Sequence, residues 1–262
     1  MSAATIGHSP ALGVTLPRVI KSEWTKLRTV RSTYFTLLVA VALFIGVSAL
    51  ITAVRAHRYH GFSAAQRADF NPVQMALAGI VVAQLAIGVL GVLAFSSEYS
   101  SGMIRSSLAA VPRRLPVLWS KLIVVGVTVF VVSLVTVLVS FFVTQAILSP
   151  YHLNVAITSA GTLNKLWTRA VYLTEVALIC VALGALLRST AGGISTFVGV
   201  FFVLPPITAL LPSDIGNSIM KYLPGSTVLG DNLSLWAGIA VMAGYAAIVV
   251  IAAAVRLQWT DA

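Results

Sequence analysis

Six stretches of the chain are apolar almost without interruption, at about residues 34–54, 73–95, 118–148, 166–187, 191–211 and 235–255. A helix needs about 20 apolar residues to cross roughly 30 Å of hydrocarbon, and each stretch supplies that length. Core helices of soluble proteins keep a polar face, which these mostly lack. The pattern predicts an all-α integral membrane protein: one transmembrane domain over residues 1–262 with six spans. The third stretch exceeds a single crossing, so its helix must tilt or project. It is rich in valine, yet in lipid the backbone has to satisfy its own hydrogen bonds, and helix prevails.

Ahead of the first span the pattern changes. Residues 1–15 are small and polar and are expected to form a loosely ordered tail. Over residues 16–32 the period becomes helical: Leu16, Val19, Ile20, Trp24, Leu27 and Val30 gather on one side, and Arg18, Lys21, Lys26 and Arg28 on the other. Glu23 and Arg31 intrude on the apolar arc. A basic amphipathic helix with a boundary Trp is expected to lie in the membrane interface, held by apolar burial and anionic headgroups.

The polar connections carry less. Between spans 1 and 2 a short loop is expected to hold Arg55, His57, Arg58, His60, Arg67 and Asp69. His57 and His60 have a spacing seen in metal sites, but no Cys or acid cluster accompanies them, so the segment reads as a solvated loop without a metal. The fourth span carries Arg169 and Glu175, a charged pair inside an apolar run. Arg169 lies near one end, where it can snorkel, and Glu175 is about 9 Å deeper. Two readings of Glu175 stand: a polar partner in a neighbouring helix, or a place in a transport path. Pro205 and Pro206 are expected to end or kink the fifth span, because the first removes a helix donor and the second restrains its predecessor. The half-polar stretch that follows, with Pro212, Pro224, Gly225 and Gly230, is too irregular to cross and suits short re-entrant or outer-leaflet helices.

The most informative stretch is Phe95 to Lys121, a polar and basic interruption between spans 2 and 3. Wound as a helix, Glu98 and Arg105 share a face with Gly102 between them, where a second backbone can approach. Ser96 or Ser97 is expected to cap that helix in front of Glu98, and Pro112 to end it. Arg113, Arg114 and Lys121 then cluster before the third span, as in a loop kept on the cytoplasmic side.

Only 9% of the residues are charged, against about a quarter in soluble domains. The formal charge of +10 sits beside the spans and forms no single patch, so it reads as a topology signal and not as a nucleic-acid surface. With the N-terminus inside, eleven Lys and Arg fall on the inner side and five on the outer, with Arg169 set aside. That bias places both termini and the Gly102 loop in the cytoplasm. The lone Cys180 excludes an internal disulfide. No lysine follows a glycine, so the phosphate-binding loop of ATPases is absent, and neither a zinc-protease helix nor a nucleophile elbow is present. No residue is therefore assigned a catalytic role.

The run Glu98-Tyr99-Ser100-Ser101-Gly102-Met103-Ile104-Arg105, set between two spans, resembles the coupling-helix segment of type-2 ABC transporter permeases, the membrane subunits of bacterial ATP-driven exporters. KSEWTKLRTVRS resembles the elbow helix that opens many of them, and short helices between the last two spans also occur there. The resemblance implies that Glu98, Tyr99, Gly102, Arg105, Arg113 and Arg114 meet a separate cytoplasmic ATPase subunit. That subunit would bind the ATP and Mg, leaving this chain without a cofactor. It further implies a second permease chain, identical or different, and a multi-pass location in the bacterial inner membrane. An ion-driven secondary transporter, which would need midplane ion ligands and often internal repeats, and a non-transporting scaffold are the alternatives.

Overall fold

A computed structural model describes residues 15–100, 115–229 and 233–259. Among them the secondary structure is helical without a strand. Six helical segments are long and apolar enough to cross a membrane, and we number them spans 1 to 6. Residues 1–14 of the expected tail and the expected coupling residues Gly102, Arg105, Arg113 and Arg114 lie outside the described residues.

The amphipathic helix is Leu16–Thr29, with Pro17 in its first turn, and a single extended residue, Val30, separates it from span 1. Span 1, Arg31–Arg58, buries Ala40, Phe44, Ser48, Thr52 and Ala56, a stripe repeating every four residues along one face. Arg55, His57 and Arg58 were expected in a loop. They instead form the last helical turn, because nothing breaks the helix before Gly61 and basic residues complement its C-terminal dipole. A capped short helix, Ala64–Ala68, bridges to span 2.

Span 2 is discontinuous. Pro72–Ala76, capped by Asn71, gives way to a turn before the helix resumes at Ile80–Ser100. Interrupted backbone is tolerated in a membrane only where protein satisfies it. Here the Gly79 N–H donates to Ser48 Oγ at 2.9 Å, and Ser140 Oγ of span 3 donates to the Ala76 carbonyl at 2.7 Å. Gly79 lies so close to Phe44 that a Cβ would sit 2.0 Å from its carbonyl oxygen.

Span 3 is Leu115–Leu148. At about 1.5 Å per residue its length exceeds the roughly 30 Å core, as expected. Span 4, Thr162–Leu187, begins earlier than its apolar run, so Lys165 is helical and Arg169 lies well inside the helix. It is the central element, packed against spans 2, 3, 5 and 6. Glycines let it meet span 2 closely: a Cβ on Gly91 would reach 2.7 Å from the Ala177 carbonyl oxygen, and one on Gly184 would reach 2.6 Å from that of Val92.

Span 5 does not end at its prolines. Thr190–Val198 widens into a π-helical turn, Gly199–Val203, and continues as Leu204–Thr208 with Pro205 and Pro206 inside. The prolines donate no backbone hydrogen bonds, and the wider turn just ahead of them accommodates that loss without ending the span. Two short helices, Ser213–Met220 and Ser226–Leu229, precede span 6 at Leu235–Trp259. They occupy the stretch expected to be re-entrant. Spans 1, 5 and 6 expose most of their apolar surface, and spans 2 and 4 form the interior.

Candidate functional site

At the end of the bundle where the amphipathic helix meets span 2 and span 3, four charged side chains come together. Lys121 Nζ lies 2.8 Å from Glu23 Oε2 and 2.9 Å from Glu98 Oε1. Lys26 Nζ completes the ring, 2.6 Å from Glu23 Oε1 and 3.1 Å from Glu98 Oε1. Glu23, Glu98 and Lys121 are buried, and Lys26 is partly so. Their charges sum to zero. Moving ions out of water costs several kcal/mol each, which the ring offsets because each buried charge meets two opposite ones. Burial pushes the Glu23 carboxyl up, but Lys121 and Lys26 outweigh it and hold it below the usual carboxylate range. For Lys26, burial pulls down while Glu23 and Glu98 push up, and the ammonium ends above its ordinary value.

The amphipathic helix is rolled to make this possible. Its inward face is Val19, Glu23, Lys26 and Leu27, while Trp24 is 42% exposed and Leu16, Lys21 and Arg28 also point outward. Lys26 was expected on the outer polar face with Lys21 and Arg28. The two buried acids draw it halfway round. Glu23, which looked like a flaw in the apolar arc, is the residue that docks the helix.

Glu98 does not start a helix behind a serine cap. Span 2 continues through it to Ser100. Ser96 Oγ instead pairs with Thr190 Oγ1 at 2.9 Å, and Ser97 Oγ donates back to the Leu93 carbonyl. The helix runs on because Glu98 meets two ammonium groups inside the bundle, a stronger attraction than the dipole of a new first turn. Tyr99 lies under the Arg188 guanidinium, 5.3 Å from the ring centroid, and Lys121 stands 5.7 Å from the Phe95 ring centroid. Arg188, in left-handed conformation, and Ser189, capping Gly192, form the tight turn between spans 4 and 5. The end of span 2 and the start of span 3, which flank residues 101–114, are thus tied to the amphipathic helix, and the end of span 2 is tied as well to the 4–5 turn.

The other intramembrane candidates lie apart. Arg169 donates to the Val228 carbonyl and so holds the short helix Ser226–Leu229. Tyr172 donates to Gln84 of span 2, with its hydroxyl over Gly225, and Tyr245 donates to the Tyr222 carbonyl at 2.8 Å. Glu175 is buried, and its Oε2 has no hydrogen-bond partner among the described residues. Arg169 and Glu175 therefore serve different places. Sequence reasoning passed over Gln84 and Tyr172, although a glutamine inside an apolar run was a visible signal.

A family model described as ABC-2 family transporter protein matches residues 19–205, which takes in most of the amphipathic helix, the charge ring, spans 1 to 4 and most of span 5. The chain belongs to the ABC-2 transporter family. No curated protein sequence matches it. The ABC-2 assignment makes this chain the membrane permease component of an ABC transporter, distinct from the ATPase with which permeases of this family generally work.

Proposed function

We propose that the chain forms the substrate path of an ATP-driven exporter and takes its energy from a separate cytoplasmic ATPase seated on the segment between spans 2 and 3. The observation that carries this reading is the buried charge ring. A loop that receives force from another protein must pass it to the spans without bending at its roots, and those roots are anchored by Glu98 and Lys121 to each other and to the amphipathic helix. Glu98 and Tyr99 act as the root of the lever, and Gly102, Arg105, Arg113 and Arg114 supply its contact with the ATPase. ATP and Mg belong to that subunit. A second permease chain covers apolar surface left open on spans 1, 5 and 6 and closes the path, with both termini in the cytoplasm of a bacterial inner membrane. Trp24, Lys21 and Arg28 face outward from the amphipathic helix, which suits an interfacial position.

The test is to purify the chain with its candidate ATPase in nanodiscs and compare it with the Gly102→Leu/Arg105→Ala variant. Both changes avoid the charge ring, so the folded chain should be recovered with its ATPase stimulation and transport lost. Unchanged transport would remove the loop from the mechanism. Transport driven by an ion gradient without the ATPase would favour a secondary transporter.

A further inference from the structure

Beside the charge ring, between the amphipathic helix and spans 1, 2 and 3, lies a cavity of about 460 Å³. Leu27, Leu90, Leu93 and Val124 make its walls largely aliphatic, Thr33 and Thr36 line its span 1 side, and all four ring residues border it. The ring leaves hydrogen-bonding positions unused. The Lys26 and Lys121 ammoniums each have three donors and use two, on Glu23 and Glu98, but Lys121 is buried whereas the Lys26 side chain is 32% exposed. Glu98 Oε2, in a side chain more than nine-tenths buried, has no partner among the described residues. A neutral cluster thus offers a spare donor on its partly exposed ammonium and a spare acceptor on Glu98 at the wall of an apolar cavity.

We propose that this cavity holds a resident zwitterionic phospholipid bearing a primary ammonium. Its phosphate oxygen accepts from Lys26, and its ammonium donates to Glu98, whose terminal torsion is soft enough to turn Oε2 toward the cavity. A head group with one charge of each sign adds no net charge to a neutral ring. An anionic head group, even one with a hydroxyl to donate, would set excess negative charge against two buried carboxylates, and a quaternary ammonium has no N–H to give. The volume falls within the roughly 300–1,000 Å³ of pockets that hold drug-sized ligands. It therefore takes the head group and the start of its chains. Val30 and Leu93, 47% and 37% exposed, mark the side on which the chains leave for the bilayer. This inference does not rest on the transport reading.

The test is lipid retention. The full chain is reconstituted in equal parts phosphatidylethanolamine, phosphatidylcholine and phosphatidylglycerol, re-extracted in mild detergent, and the retained lipid is weighed by native mass spectrometry. Phosphatidylethanolamine should be retained about tenfold better than either competitor, the effect of one charge-assisted hydrogen bond. Ala94→Leu and Thr36→Leu, which fill the cavity wall, should abolish the preference with thermal unfolding unchanged. Should both variants unfold, the head-group comparison on the unaltered chain decides alone. Equal retention of all three lipids, or a preference that survives in folded variants, would overturn the proposal as ordinary boundary lipid. A phosphatidylglycerol preference would overturn it in favour of the basic outer face of the amphipathic helix. Displacement by soluble phosphoethanolamine would overturn the requirement for a lipid.

Discussion

Replacing Lys121 with methionine tests the charge ring at its most connected point. The methionine keeps most of the side chain's length and apolar stem, so the packing over Phe95 changes little. What disappears is the ammonium bonded to Glu23 at 2.8 Å and Glu98 at 2.9 Å. Two buried carboxylates are then left with Lys26 alone, which is itself only partly buried. Breaking a buried pair by removing one partner costs about 3–5 kcal/mol, and here one cation serves two anions, so the upper half of that range applies. The assay is thermal or denaturant unfolding of the purified chain in detergent, followed by intrinsic tryptophan fluorescence, since Trp24 rides on the docked helix. Lys121→Met/Glu98→Gln, which restores charge balance with Glu23 and Lys26 intact, should recover a large part of the loss. If Lys121→Met melts with the unaltered chain, the ring is not a buried structural element and the anchoring argument fails.

Four further outcomes follow from the same contacts. Glu23 has its pKa lowered in the folded chain, so its stabilisation is present above its ordinary value of 4.5 and is lost as pH falls through the lower folded value; unfolding followed downward from pH 6 should show a loss at the acid end that is smaller in Glu23→Gln. Ser48→Ala leaves the Gly79 N–H unpaired at the break in span 2 and should cost about 1–3 kcal/mol in the same unfolding assay, whereas no loss would mean that the turn finds another acceptor. Arg169→Met frees the Val228 carbonyl and should raise protease or hydrogen-exchange access over Ser226–Leu229 while leaving spans 2 to 4 protected; unchanged exchange there would show that the short helix is held by other contacts. Glu175→Leu should unfold no more easily than the unaltered chain, since no hydrogen bond of Oε2 is lost, and clear destabilisation would reveal a partner for this carboxylate.

The six spans were legible because lipid imposes one rule on every residue of a crossing, and helices that stay in water seldom carry apolar runs of that length. Span ends were less legible. Arg55 and Arg58 continue a helix that hydropathy alone would stop, and Thr162 begins one before its apolar run, which makes Lys165 helical. The break in span 2 was hidden, because a Gly79 turn stabilised by serines from two other spans leaves no local trace. At the site, Glu98 was found by its setting between spans but given the wrong local structure. Its partners stand 72 and 23 positions away, and no helical wheel relates them. Glu23 was visible only as an exception to the amphipathic pattern. That exception was the signal: an acid on an apolar arc needs a buried cation, and Lys121 at the foot of span 3 supplies it.

The central claim is that the segment between spans 2 and 3 carries the work of a separate ATPase into the spans. Its most direct test is substrate transport by the chain and its ATPase in nanodiscs, with ATP supplied on one side and a cysteine replacing Ser106, a loop residue outside the proposed contact set, used to label the loop and to cross-link it. Transport should require ATP, the loop should be reachable only from the ATP side, and cross-linking it to the ATPase should depend on nucleotide. Labelling of the loop from the opposite side, or full transport with the ATPase absent, would contradict the account.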